Sequence, residues 1–147
     1  MLTLGQKTYI ESLVREIYSW PSSTIKRGLV LVVEDGDESE TADFVRAVLG
    51  NGEIVRPKPK STYRILPDRI MHIDCPIIID KSQNLLWGRR SNRLQIAINN
   101  MVSICNYHEF LVLVSNGGDI SYIENIDGRL EWRLRDRYDI RAEGRIE

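Results

Sequence analysis

The sequence predicts an α/β fold, a mixed twisted β-sheet flanked by helices on both faces, and three observations lead there. First, "GLVLVVED", "CPIIID" and "FLVLVS" are short apolar runs rich in β-branched residues. Such runs suit strands buried on both faces and are too short for core helices. Second, apolar residues recur at three- and four-residue steps in other stretches: Ile10, Leu13, Val14 and Ile17; Phe44, Val45 and Val48; Leu94, Ala97, Ile98, Met101 and Val102. That spacing lines one face of a helix. Third, the chain has 147 residues, 42% hydrophobic and 28% charged, which suits one domain spanning residues 1–147 with a core of its own.

Taken in order, Thr8 with Glu11 has the form of a capping box, and the first helix is expected to run to about Tyr18. Pro21, Ser22 and Ser23 break the pattern ahead of "GLVLVVED", which reads as a central strand. The charged turn "DGDESE" comes next. A second helix is expected over residues 41–49, closed by Gly50 as a left-handed cap. "EIVRPK" reads as a short edge strand, because Pro57 cannot donate to a ladder.

"TYRILPDRIMH" is ambiguous, since Pro67 can start or end a helix. "CPIIID" and "NLLWGRR" flank "KSQN" in the manner of a hairpin, and "FLVLVSNGGDISYIE" reads as two strands around a turn. The tail "GRLEWRLRDRYDIR" alternates, with Leu130, Trp132 and Leu134 on one face, and is expected to extend the sheet, a helix being the alternative.

Charge and composition restrict partners. A formal net charge of -1 provides no global field for nucleic acid or an acidic membrane, so any anion site must be local. Lys7, Glu11, Arg15 and Glu16 interrupt the N-terminal apolar residues, which argues against a signal peptide or a membrane span and makes cytoplasm the expected location. The two cysteines, Cys75 and Cys105, with His72 and His108, fall short of a disulfide framework or a four-ligand zinc spacing.

Several clusters carry possible chemistry. Glu34, Asp35, Asp37, Glu38 and Glu40 could hold a divalent cation through oxygen ligands, or could sit in a solvated turn that complements a helix dipole. Arg89, Arg90 and Arg93 in "GRRSNR" precede a helical stripe and could cradle a phosphate, or form a solvated loop. A nuclease would need Asp68 and a later acid spaced one residue ahead of a lysine, whereas Asp80 is followed directly by Lys81. Cys75 could be a nucleophile only with a base or positive surroundings to lower its pKa.

The stretch "LVLVVEDGDESETADFVRAVLGNGEIV" resembles the first strand, acidic pair and first helix of a receiver domain. That resemblance makes Asp80, ending "PIIID", a phosphate acceptor. Receivers also carry a lysine at the end of a late strand, and here the last lysine is Lys81.

Over nearly its whole length the chain resembles the diadenylate cyclase domain, a family that condenses two ATP molecules into cyclic di-AMP. "YIESLVREIYSWPSSTIKRGLVLVVED" is similar to its leading helix, basic turn and first strand. "HIDCPIIIDKSQNLLWG" stands in place of the Asp-Gly-Ala motif, the strand after it and the hairpin return. "SNRLQIAINNMVSICNYHEFLVLVSNGGDISYIENIDGRLEWRL" is similar to the Arg-His-Arg helix, the strand ending in Val-Ser, the glycine turn and the closing hairpin.

The resemblance implies that Asp74 binds a Mg²⁺ or Mn²⁺ ion and activates a 3′-hydroxyl, and that Arg93 holds phosphate. It places Cys75, Pro76, Arg89, Arg90 and Gln95 in the nucleotide site. It also implies ATP or a cyclic dinucleotide as ligand, and a homodimer, since the reaction opposes two sites. Cys75 and Pro76 replace the motif's glycine and alanine, and Leu94 and Gln95 its histidine and second arginine. A side chain then intrudes and an amide donor is lost at the motif. The expectation is therefore a nucleotide-sensing or interaction module that has lost its catalysis, with a weakened cyclase as the other outcome.

Overall fold

A computed structural model describes residues 1–19, 27–58, 75–84, 110–117 and 136–146. In chain order the elements are α1 (Leu4–Tyr18), β1 (Arg27–Val32), α2 (Glu38–Leu49), β2 (Glu53–Val55), β3 (Ile77–Ile79), β4 (Phe110–Ser115), β5 (Asp136–Asp139) and β6 (Gly144–Arg145). A short 3-10 turn at Ser82–Asn84 comes after β3. The fold is α/β, and the six strands form one mixed sheet in the order β2-β3-β4-β1-β5-β6. The pairings from β2 through β5 are parallel, and β6 pairs antiparallel with β5.

Alternation within the strands separates two buried faces. Leu29, Leu31 and Val33 share one face with Ile78, Phe110, Val112 and Val114, and there they meet Ile10, Val14, Ile17, Ala42 and Val45 from the two helices. Val30, Val32, Ile77, Ile79, Leu111 and Leu113 alternate onto the other face and are just as inaccessible. Burial on both faces is why these strands carry continuous apolar runs rather than alternating ones. Both described helices lie on one face, and the stripe at Leu94–Val102 expected to form another helix lies outside the described residues.

Helix α1 starts one turn earlier than the sequence suggests. Thr3 is its N-cap and exchanges capping-box hydrogen bonds with Gln6, while the Thr8 hydroxyl donates to the Leu4 carbonyl at 3.0 Å from inside the helix. Thr3-Gln6 and Thr8-Glu11 are both well-formed boxes, and the first wins because starting there adds a turn of backbone hydrogen bonds. Tyr18 meets Phe110 edge-on at 5.1 Å and Tyr9 meets Tyr138 at 6.4 Å, which ties α1 to β4 and β5. Helix α2 begins at Glu38 rather than at 41 and ends, as expected, on Gly50 with φ 79°.

Parallel pairing overturns the hairpin expected around "KSQN", whose returning arm lies outside the described residues, as does the strand expected after "NGGD". β3 is hydrogen-bonded on one side to β2 and on the other to β4, so no edge is left at Ile77–Ile79 for a returning strand. β4 is likewise occupied by β1 and β3. A strand has two edges, and a parallel neighbour uses one as completely as a hairpin partner would. The turn after β3 is a local reversal at the sheet rim. β2 is the edge strand that "EIVRPK" suggests, and Asp136–Asp139 of the tail extends the sheet beside β1; Leu130, Trp132 and Leu134 lie outside the described residues.

β1 is flanked by β4 and β5. The flavodoxin-like order 2-1-3-4-5 that receivers share puts the second and third strands there, so the receiver arrangement is not the one this sheet adopts. No helix among the described residues is long and apolar enough to cross a membrane.

Candidate functional site

Because β1 through β5 run parallel, their carboxyl ends share one rim of the sheet. The chain leaves β1 through α2 toward β2, while the next described strand after β4 is β5, on the other side of β1. Adjacent strands whose continuations diverge open a crevice at their carboxyl ends, the usual ligand position in open α/β sheets. Polar residues gather there: Glu34 and Asp35 after β1, Arg56 and Lys58 after β2, Asp80 and Lys81 after β3, Asn116 after β4, and Arg141 after β5.

Over the β2 and β3 ends and the start of α2 lies a cleft of about 400 Å³ lined by Asp35, Glu38, Ser39, Arg56, Lys58, Asp80, Lys81, Gln83 and Asn84. Side-chain bonds hold its walls together. Asn84 Nδ2 donates to the Pro57 carbonyl at 2.9 Å, and the Asn116 amide donates to Gln83 Oε1 at 3.4 Å. Lys81 adopts φ 57°, a left-handed turn unusual for a residue with a side chain. That turn closes the strand directly behind Asp80.

Asp80 is the centre of the site. It is 2% exposed, yet it is a carboxylate. The Ser39 hydroxyl donates to its Oδ2 at 2.7 Å, and Arg56 donates to the same oxygen. Arg56 also reaches Asp43 Oδ1 at 2.9 Å, so one guanidinium bridges two carboxylates. Burial works against the Arg56 charge, but the hydrogen bonds to Asp43 and Asp80 outweigh it and raise its pKa above the ordinary value. Oδ1 of Asp80 is buried and has no hydrogen-bond partner among the described residues. A buried carboxylate normally fills both oxygens, since an unmet acceptor of this kind is costly.

At the β5 end, hydrogen bonds from Arg141 hold the Asp139 carboxyl below its ordinary pKa of 3.8, with burial opposing. The acidic run after β1 is spread over separate partners. Asp37 pairs with the Met1 amino group at 2.5 Å, Glu40 accepts from the Leu2 amide, Glu38 accepts from the Gly36 amide at 2.6 Å, and Asp35 accepts from Asn116 Nδ2 at 3.4 Å. Among the described residues no three His, Cys, Asp or Glu side chains come together as a cation site.

Of the residues singled out by resemblance, Cys75 and Pro76 are described, and they lie at the amino end of β3. The three residues of β3 separate them from Asp80, so Pro76 stands four residue steps away, about 13 Å at about 3.3 Å per step. Cys75 is half-buried, Pro76 is buried, and the Pro76 carbonyl accepts from the Glu53 amide at 2.9 Å, opening the β2–β3 ladder. A Cβ on neighbouring Gly52, whose φ is 138°, would come within 3.3 Å of that carbonyl oxygen. Asp74, Arg89, Arg90, Arg93 and Gln95 lie outside the described residues, as do Asp68 and Cys105.

Sequence reasoning reaches Asp80 but misses Ser39, Arg56, Lys58, Gln83 and Asn84. The available signal is positional. "EIVR" and "PIIID" each end an apolar run in a charged residue, and parallel neighbours bring such ends together. No protein-family model matches the chain, and a search of curated proteins finds no match.

Proposed function

We propose that the chain is a nucleotide-binding sensor or interaction module that takes ATP or a cyclic dinucleotide in the cleft at the carboxyl rim, at the other end of β3 from Cys75 and Pro76, where the resemblance to the diadenylate cyclase domain would put the nucleotide. One observation carries the reading: a carboxylate, Asp80, stands almost wholly buried in a polar cleft with one oxygen unmatched among the described residues. A buried polar group with no partner among the described residues calls for an explanation, and in a cleft a bound ligand is one. Lys58 and Lys81 line the same cleft and are cations of the kind that pair with phosphate, although the net charge of the chain is only -1.

A sensor is favoured over a cyclase by the motif positions. Pro76 stands where the family has alanine, and here its carbonyl serves strand pairing at the end of β3 away from the cleft. The catalytic roles of Asp74 and Arg93, the Mg²⁺ or Mn²⁺ ion at Asp74, and the homodimer rest on the resemblance alone.

The test is thermal denaturation with ATP and with cyclic di-AMP, each with Mg²⁺, beside product analysis. A ligand present at a hundred times its Kd stabilises the folded state by about 2.7 kcal/mol, which for a chain of this size raises Tm by about 5–10 °C. At least one of the two nucleotides should produce that shift, with no cyclic di-AMP formed. Unchanged melting with both would overturn the nucleotide reading, and cyclic di-AMP as product would make the chain an enzyme.

A further inference from the structure

We infer that Asp80 is the acceptor for a ribose hydroxyl, so that the cleft selects ribonucleotides over their deoxy counterparts. The inference rests on the nucleotide reading above and names the group by which that ligand is recognised.

The chemistry of the partner is set by what already holds Asp80. Oδ2 receives Arg56 and the Ser39 hydroxyl, while Oδ1 receives nothing among the described residues. A carboxylate oxygen accepts, so the partner must donate: a cation, an ammonium group or a hydroxyl. A second cation at Oδ1 would stand within a few ångströms of the Arg56 guanidinium and be repelled by it. The described residues also bring no third acidic, Cys or His ligand into place for a metal ion. A neutral hydroxyl meets neither obstacle, and Ser39 already donates one to this carboxylate at 2.7 Å.

Oδ1 is buried in this conformation, so a ligand hydroxyl reaches it only if the carboxylate turns. The χ2 torsion of an aspartate is soft. A turn about it would bring the oxygen toward the cleft that Asp80 lines, and Oδ2, held by Ser39 and Arg56, would turn with it. The cleft is also bipolar in the required sense. Asp80 offers the acceptor, and Lys58 and Lys81 on the adjoining walls suit an anion carried by the same molecule. At about 400 Å³ it falls in the range of small-molecule sites. A hydroxyl-bearing sugar joined to phosphate has both groups at the spacing of one small molecule.

The probes are ATP, 2′-deoxy-ATP and 3′-deoxy-ATP, measured by calorimetry against the wild-type chain, Asp80→Ala and Asp80→Asn. The wild type should bind ATP at least tenfold more tightly than one of the two deoxy analogues, which also identifies the hydroxyl, because a buried acceptor is left unmatched when the donor is missing. In Asp80→Ala that ratio should fall to near one. Asp80→Asn keeps the shape of the side chain, covers the case in which the alanine variant does not fold, and should reduce the ratio several-fold by removing the charge.

Equal affinity for all three nucleotides in the wild type would overturn the inference and leave the nucleotide reading standing. A ratio that persists in a folded Asp80→Ala chain would also overturn it. If none of the three binds, the inference falls together with the reading on which it rests.

Discussion

Replacing Arg56 with methionine should destabilise the chain by about 2 kcal/mol, and adding Asp80→Asn should restore most of the loss. Removing one partner of a buried ion pair costs about 3–5 kcal/mol when both charges are inaccessible, because the survivor is left desolvated. Here the pair is asymmetric: the Arg56 side chain is 49% exposed and that of Asp80 is 2% exposed. Water can approach the side vacated by Arg56, which brings the estimate below that range. Methionine keeps the length of the stem, so the loss reports the charge and hydrogen bonds rather than packing.

Ser39 still donates to Asp80 in the single variant, but one neutral hydrogen bond does not replace a guanidinium. Neutralising the carboxylate removes the need for it. Urea titration reads the result as a shift in midpoint at unchanged slope, and the two single variants with the double variant give a coupling of about 1 kcal/mol or more. An Arg56→Met chain within about 0.5 kcal/mol of wild type would mean that Arg56 does not stabilise the buried charge.

Leu31→Ala should destabilise the chain by about 3–4 kcal/mol, or a drop in Tm of about 6–16 °C. Leu31 is fully buried in β1, which has β4 on one side and β5 on the other. It belongs to the cluster in which both helices meet the sheet. Truncation removes its transfer free energy and leaves a cavity that a central strand cannot move to fill. Leu4→Ala is the control, since Leu4 is 81% exposed in α1 and the change should stay within about 0.5 kcal/mol. Equal losses at the two positions would contradict the placement of β1 at the core.

The parts of the fold that are legible in the sequence share a property: they are set by local chemistry. "GLVLVV" and "FLVLV" are continuous apolar runs because both faces are buried. Pro57 marks the edge strand, and Gly50 closes α2 in the left-handed conformation that glycine permits. The hairpin around "KSQN" is misread for the complementary reason. "KSQN" is a good turn sequence, but a turn that leaves a parallel strand looks the same as one that starts a hairpin. Which edge a strand gives to which neighbour is settled by contacts far apart in sequence, such as Ile77 with Leu111.

The site divides in the same way. Asp80 stands out as a carboxylate ending an apolar run. Its partner Arg56, 24 residues earlier, cannot be assigned without knowing that β2 and β3 are neighbours running the same way. "MHIDCPIII" draws the eye to Asp74, Cys75 and Pro76, yet the two described residues of that group sit where β3 begins, and the cleft opens where it ends.

Hydrogen exchange with ATP and Mg²⁺ tests most directly whether the carboxyl rim is the ligand site. The cleft is lined from residues 35–39, 56–58 and 80–84, while Cys75 and Pro76 stand at the far end of β3. Backbone amides in those three lining segments should exchange more slowly when ATP is bound, and those around residues 75–77 should not change. Slowing confined to residues 75–77, or no slowing in the lining segments at saturating ATP, would contradict the account.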